Sequence, residues 1–147
     1  MPVRLVLYWF SKILEDCHWF DDIRLPLWQK LAINCVINPL TTVHNIKNGE
    51  LLKPQYRSAI ESLLEEFFLV TDAEKLPLEK AQITKQVWSV IKKTADNYSS
   101  MHQDVMHNRK TEIDYINGCL LALAAKYNID VKFNQSLVTE IKKLCII

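Results

Sequence analysis

The fold class is decided by the segment Trp28-Gln29-Lys30-Leu31-Ala32-Ile33-Asn34-Cys35-Val36-Ile37-Asn38-Pro39, which is largely apolar and has no strand-like alternation. Such a segment predicts a helix, which we place over about residues 26–43. Pro26 suits the first turn of this helix. Pro39 lies inside the pattern and should kink or interrupt it, because proline has no N–H to donate.

The rest of the chain repeats apolar residues at the same helical spacing. We predict a first helix that ends near Asp16, helices over about residues 54–71, from Pro77 and over 113–127, a helix capped by Asn97 or Ser99, and a last helix capped by Asn134. Asn48-Gly49 marks a turn, and the missing side chain of Gly118 allows close helix contact. Strand-like segments are nearly absent, apart from a short extended stretch at 17–22. The prediction is an all-α fold, one domain of about six helices.

Composition excludes several kinds of protein. The 147 residues carry 18 basic and 17 acidic side chains, which leaves no electrostatic basis for binding nucleic acid or an anionic membrane. No run approaches the roughly 18 apolar residues that span a bilayer. Gly49 and Gly118 are the two glycines, whereas a dinucleotide or phosphate loop needs several close together. These residues therefore do not form a standard nucleotide-binding loop by themselves.

The cysteines and histidines indicate a protein with reduced thiols and no bound metal. Cys17, Cys35, Cys119 and Cys145 are widely spaced and form no Cys-X-X-Cys pair. Two disulfides are the alternative, but a helical chain with a large core does not need them, so we expect free, mostly buried thiols and a cytoplasmic protein. The histidines at 102 and 107 are badly spaced for one helix face, so we expect no metal site.

A polar stripe runs along the predicted helix. Lys30, Asn34 and Asn38 are spaced by four, so they drift by about 40° per step around the helix axis. Asparagine is a poor interior helix residue, because its amide competes for backbone hydrogen bonds. The stripe is either an ordinary solvated face or a polar seam that points into a cleft, and the residue types leave both interpretations open.

Two later segments also have two interpretations. Ser100 follows a predicted helix break, and its hydroxyl is either a helix cap or a ligand contact. Thr111 could cap the helix over 113–127, with Glu112 and Asp114 in a first turn where the helix dipole favours acids. Capping explains these residues without any functional site.

Four segments carry a resemblance to a known family. KLAINCVINPLT at 30–41, NGEL at 48–51, SSMHQDV at 99–105 and RKTEIDYING at 109–118 occur in this order. Together they are very similar to the signature stretches of the C-terminal domain of ketopantoate reductase (2-dehydropantoate 2-reductase). A looser similarity extends from about Trp19 to the C-terminus. The resemblance favours the functional interpretation of the stripe.

The resemblance implies a site and a reaction. In that family an N-terminal Rossmann domain binds NADPH, and ketopantoate lies between it and a helical C-terminal domain. There it is reduced to pantoate for pantothenate and coenzyme A biosynthesis. The family's proton-donating lysine falls on Lys30, its substrate-contacting asparagines on Asn34 and Asn38, its carboxylate-binding serine on Ser100 (with Ser99 as the neighbouring alternative) and its active-site glutamate on Glu112. As hydride adds to the carbonyl carbon, an ammonium at Lys30 can stabilise the oxygen and deliver a proton. Glu112 could orient the lysine or accept from the substrate hydroxyl.

The resemblance also implies a missing partner. The Rossmann half has no counterpart in these residues, so we expect the chain alone to lack NADPH-dependent turnover, whether it is an expressed fragment, a truncated reading frame or a split product. The aromatic residues Trp9, Phe10, Trp19 and Phe20 either form an exposed patch that a homo-oligomer would cover or belong to the core. A non-catalytic helical interaction module is the alternative function, and another small 2-oxo acid is the alternative substrate.

Overall fold

The computed structural model describes residues 22–145, which form helices and no strand. The helices are α1 (Arg24–Val43), a 3-10 helix (Asn48–Leu52), α2 (Pro54–Ala73), α3 (Lys80–Lys93), α4 (Ser100–Met106), α5 (Asn117–Lys126) and α6 (Lys132–Leu144). This confirms the all-α class with about six helices. The first predicted helix, nearly all of the extended stretch and the four aromatic residues of the predicted patch lie outside the described residues. No described helix is long and apolar enough to cross a membrane.

Helix α1 lies at the centre of the fold and contacts α2, α3, α4 and α6. On one side Val36 is buried in the larger apolar cluster, together with Phe67 of α2 and Val87 of α3. On another side Cys35 is buried in a smaller cluster that includes Met101 of α4. A helix covered on both sides can present only a narrow stripe to solvent or to a ligand.

Pro39 does not interrupt α1, which is continuous from Arg24 to Val43. Proline cannot donate the backbone hydrogen bond that the carbonyl of Cys35, four residues earlier, would otherwise accept. That carbonyl accepts instead from the side-chain Nδ2 of Asn117, at 3.0 Å. The prediction of an interruption is therefore wrong, because a residue 82 positions away replaces the missing donor.

The hydrogen bonds continue from Asn117 through the interior. Its Nδ2 also donates to Oδ1 of Asn134 at 2.9 Å, and Nδ2 of Asn134 donates to Oε2 of Glu66 at 2.7 Å. The Glu66 carboxylate accepts from the backbone N–H groups of Phe133 and Asn134, so an acid of α2 caps the N-terminus of α6. All three side chains of this buried network, Glu66, Asn117 and Asn134, are at least nine-tenths buried. The prediction that Asn134 caps this helix is therefore wrong, because α6 already begins at Lys132.

Two other predicted helix starts are too early. Helix α3 begins at Lys80 rather than Pro77, and α5 begins at Asn117 rather than at 113. Residues 111–116 form turns, in which the backbone carbonyl of Glu112 accepts from two following amides. Thr111 therefore caps no helix and is buried. The helix dipole does not explain the acidic residues Glu112 and Asp114 either, because neither lies in the first turn of a helix.

The close backbone contact lies at Gly49 and not at Gly118. The Gly49 amide donates to the carbonyl of Ala95 at 3.0 Å, and a Cβ on Gly49 would lie 2.7 Å from the Ala95 Cβ. A Cβ on Gly118 would have its nearest neighbour, the Ile113 carbonyl oxygen, at 3.5 Å, an ordinary contact. The predicted close helix contact at Gly118 is therefore wrong. The turn predicted at Gly49 is the start of the 3-10 helix.

The described cysteines are free, but they are not mostly buried. Cys35 is buried, and burial raises the pKa of its thiol. Cys119, on α5, and Cys145, which directly follows α6, are exposed. The expectation of mostly buried thiols is therefore wrong for two of these three residues, and Cys17 lies outside the described residues.

We expect the cost of removing the Asn117 amide to depend on Pro39. Asn117→Ala leaves the Cys35 carbonyl and the Asn134 side chain without a donor, which should lower the free energy of unfolding by about 2–5 kcal/mol. In a Pro39→Ala background the new backbone N–H can donate to Cys35, so the cost should fall by about 1 kcal/mol or more. Urea unfolding of the four chains gives the coupling free energy. Pro77→Ala, at a loop proline, is the control background, and equal costs in all backgrounds would contradict the proposed compensation.

The two glycines should respond oppositely to alanine. Gly49→Ala places a methyl group against the backbone of Ala95 and should lower the free energy of unfolding by about 1–3 kcal/mol. Gly118→Ala has room and lies inside α5, so it should be neutral or stabilise by up to about 1 kcal/mol through helix propensity. Thermal unfolding of both variants distinguishes them. A Gly118 variant as unstable as the Gly49 variant would show that the contact has been assigned to the wrong glycine.

Candidate active site on helix α1

The polar stripe on α1 runs from the surface into the protein. Lys30 is exposed, Asn34 is half-buried and Asn38 is buried, with 8% of its surface accessible. This gradient does not fit an evenly solvated face, because that face would keep all three side chains in water. The stripe is a polar seam between the two apolar clusters that cover α1.

The seam continues one turn past Asn38 to Thr41, which meets the start of α4. The hydroxyls of Thr41 and Ser99 are 2.8 Å apart, and Ser99 Oγ accepts from the backbone N–H of His102 at 3.2 Å. Ser99 is therefore the N-cap of α4, as one of the two predicted caps, and it is buried. Ser100 is exposed, and its hydroxyl has no hydrogen-bond partner within residues 22–145. Of the two serines, Ser100 is the one available to a ligand.

Helix α4 is attached to α1 at a second point. His102 Nε2 lies 2.7 Å from Oδ1 of Asn45, just past the end of α1, and the His102 ring stacks on Tyr98 with ring centres 4.4 Å apart. Met101 is buried in the smaller cluster. These contacts fix the first turn of α4, and hence Ser100, beside the buried end of the seam.

Glu112 lies on a turn that packs, through its neighbour Ile113, against the smaller apolar cluster. Its side chain is exposed, and within the described part of the chain its carboxylate has no hydrogen-bond or ion-pair partner. The next residue, Ile113, is buried in the smaller cluster with Cys35, so the turn that carries Glu112 is anchored on α1. Lys30 and Glu112 do not form an ion pair in the structure. The geometry thus brings the turn of Glu112 to α1 without joining its carboxylate to the lysine.

A groove between α1 and α3, of about 350 Å³, opens beside Lys30. It is lined by Pro26, Gln29, Lys30 and Ile33 of α1 and by Gln86, Ser89, Val90 and Lys93 of α3. Both sets have the spacing i, i+3, i+4, i+7 of facing helix surfaces. Lys30 and Lys93 pair with no described carboxylate, and Gln86 Oε1 is buried without a described donor. Gln86, Ser89 and Lys93 recur as polar residues at helical spacing in the sequence, but only the packing of α3 on α1 shows that they face Lys30.

The glycines of the described residues do not form a phosphate-binding loop. Gly49 lies against Ala95 and Gly118 inside α5, so neither forms a loop open to a pyrophosphate. No group of three or more metal-ligating side chains is found between residues 22 and 145. Among the residues predicted for the site, Lys30, Ser100 and Glu112 are exposed, Asn34 is half-buried and Asn38 is buried.

Known proteins resemble this chain closely. Residues 22–144 match the family model for the ketopantoate reductase PanE/ApbA C terminal. A 2-dehydropantoate 2-reductase of Vibrio cholerae is 41% identical over 135 residues, which cover 92% of this chain and 46% of the relative. A PanE/ApbA family ketopantoate reductase from Ralstonia eutropha superimposes with a TM-score of 0.88 at 23% identity, over 96% of this chain and 47% of that one. A D-mandelate dehydrogenase solved with NADH gives a TM-score of 0.88 at 24% identity, over 95% of this chain and 48% of that one.

These likenesses differ in what they show. The two structural likenesses are below 25% identity and establish the fold. The chain spans less than half the length of the curated relative from Vibrio cholerae. The family model, in contrast, matches most of the chain. The chain therefore belongs to the ketopantoate reductase family, in which it corresponds to the C-terminal region.

Proposed function

We propose that this chain provides the substrate-binding and proton-donating part of a 2-dehydropantoate 2-reductase, the enzyme that reduces ketopantoate to pantoate. The observation that carries the proposal is the polar seam on α1, with an unpaired ammonium at its exposed end and Ser100 beside its buried end. Relatives that share the family are named for this reaction. The reaction leads to pantothenate and coenzyme A.

Lys30 is assigned to the carbonyl oxygen of the substrate. An ammonium carries three donors, and here none of them is used by a described carboxylate. Negative charge develops on the oxygen during reduction, so a positive donor at this position stabilises the transition state more than the ground state. The same group then delivers the proton that completes the alcohol.

Asn34, Asn38 and Ser100 are assigned to substrate orientation. An amide can donate to a carbonyl or hydroxyl without adding charge, so Asn34 and Asn38 can orient the substrate and leave Lys30 as the charged group. The Ser100 hydroxyl can donate to the carboxylate of the 2-oxo acid. Glu112 is assigned to the substrate hydroxyl rather than to Lys30, because its carboxylate is unpaired in the structure and does not contact the lysine.

The nicotinamide cofactor is assigned to residues other than these 147. In the proposed enzyme it is NADPH, which supplies the hydride when bound. The described residues do not fit it, since neither glycine opens a phosphate-binding loop. Exposed free thiols at Cys119 and Cys145 are compatible with a reducing compartment such as the cytoplasm.

The test of this function compares two lysines of one groove. The chain, joined to or mixed with the NADPH-binding half of a relative, is assayed for NADPH oxidation with ketopantoate. Lys30→Ala should lower kcat by about 10²–10⁴-fold, the range for a general acid, with a much smaller change in KM. Lys93→Ala removes the same charge from the facing wall of the groove, and kcat should stay within about threefold.

The control is the 147-residue chain alone, which should show no turnover. Turnover by the chain alone that Lys30→Ala abolishes would mean that these residues hold the cofactor after all. Full activity of the Lys30 variant, or equal losses at Lys30 and Lys93, would remove Lys30 from the proton-donating role.

Alanine substitutions at the two adjacent serines should have different effects, one on substrate binding and the other on stability. Ser100→Ala should raise the KM for ketopantoate by about 10-fold to 100-fold, because a hydrogen bond to a charged group contributes about 1.5–3 kcal/mol. Its free energy of unfolding should change by less than about 0.5 kcal/mol, since the hydroxyl is exposed. Ser99→Ala loses the cap of α4 and the Thr41 contact, and should lower that free energy by about 1–2 kcal/mol. An unchanged KM in the Ser100 variant would contradict the assignment.

A further inference from the structure

We propose that His102 is a positioning residue for the substrate: uncharged, it holds the first turn of α4 against α1 and so fixes the Ser100 hydroxyl, and protonation releases this turn. The proposal rests on the proposed function in one respect, namely that Ser100 contacts the substrate carboxylate. The attachment of α4 by His102 can be tested independently of that role.

Two hydrogen bonds three residues apart hold the start of α4. Ser99 meets Thr41 with a distance of 2.8 Å between the hydroxyls, and His102 Nε2 meets Asn45 Oδ1 at 2.7 Å. Thr41 lies in the last turn of α1 and Asn45 just beyond it, so both bonds reach the same end of that helix. Ser100 lies between the two attached residues. Its position therefore depends on both bonds.

Helix α4 needs these attachments because it has only seven residues. Isolated helices shorter than about 12 residues are marginal in water, so contacts with the rest of the protein must hold α4 in place. Met101 is buried and anchors one side of the helix. Loss of the His102 bond leaves the first turn held by the Ser99–Thr41 contact and by Met101.

The His102 ring is placed to act as a neutral donor. The residue is 5% exposed, and its ring stacks on Tyr98 at 4.4 Å with an interplanar angle of 16°. Asn45 Oδ1 accepts, so Nε2 carries the proton. Nδ1 is buried and has no hydrogen-bond partner in the described part of the chain. A proton on Nδ1 would therefore meet no acceptor, which is unfavourable for a buried donor.

The described residues that line the cavity beside the ring offer no acid to support a positive charge on it. The adjoining cavity of about 700 Å³ is lined by Asn45, Asn97, Tyr98, His102, Gln103, Met106 and His107, which include no carboxylate. The Nζ of Lys47 lies 5.7 Å from the centre of the Tyr98 ring, and His107 lines the same cavity. A positive charge on His102 would therefore have no carboxylate beside it in this cavity.

Burial lowers the pKa of His102 below its ordinary value. The ring therefore binds a proton more readily when α4 is released than when it is attached. The stability that the neutral ring contributes is complete above its ordinary pKa of 6.5. It is lost progressively as the pH falls below that value towards the lowered pKa of the attached state.

Amide hydrogen exchange of the 147-residue chain tests the attachment. After correction for the intrinsic pH dependence of exchange, the α4 amides should lose protection as the pH falls from about 7.5 to about 5.5. The protection factor should fall by up to about tenfold for each pH unit by which attachment lowers the pKa of His102. His102→Gln keeps an uncharged donor and should remove this pH dependence. His107→Gln, at an exposed histidine near the end of the same helix, should retain it. The same pH response in wild type and His102→Gln would overturn the proposal.

Turnover of the chain combined with an NADPH-binding half tests the link to the substrate. The KM for ketopantoate should rise more between about pH 7.5 and about pH 5.5 in the wild type than in His102→Gln. When both chains also carry Ser100→Ala, the pH-dependent rise in KM should be the same with histidine and with glutamine at position 102, because His102 acts through Ser100. A difference that persists in that background would overturn the positioning role. If Ser100→Ala leaves KM unchanged, the proposed role of Ser100 fails, while the exchange experiment still decides whether His102 attaches α4.

Discussion

The interaction on which the rest of the structure depends is the hydrogen bond from the Asn117 amide to the carbonyl of Cys35. Pro39 leaves that carbonyl without its helical donor in the middle of the protein, and a buried carbonyl without a partner is costly. One side chain satisfies the carbonyl and also donates to Asn134, which in turn donates to Glu66. A local defect of one helix thus fixes the positions of three others.

This constraint explains why the candidate site lies where it does. Asn117 of α5 is hydrogen-bonded to α1 and α3 packs on α1, and the stripe of Lys30, Asn34 and Asn38 runs from the exposed part of α1 into this packed region. The stripe can tolerate two asparagines inside a helix because the surrounding contacts, and not local propensity, stabilise α1. The polar stripe therefore ends in a buried residue, Asn38.

The sequence was informative wherever local pattern and packing agree. The apolar spacing predicted helices close to α1 and α2, and the spacing of four predicted the polar stripe. Local rules failed where the partner is distant in the chain: Asn134 and Thr111 have the residue types of caps, yet Asn134 bonds to residue 66 and Thr111 is buried. The choice between Ser99 and Ser100 likewise needed Thr41, 58 residues away. The groove wall formed by Gln86 and Lys93 was not predicted, because only the packing of α3 on α1 places these residues near Lys30.

The Glu66 carboxylate has a consequence for how the polypeptide can be divided. It lies in the interior and accepts from amides at the start of a helix that follows it by 68 residues. A chain that ends before Lys132 would lose every donor described for this carboxylate. Helices α2 and α6 therefore depend on each other, although they are far apart in the chain. A division of the polypeptide between them would separate a helix from the side chain that caps it.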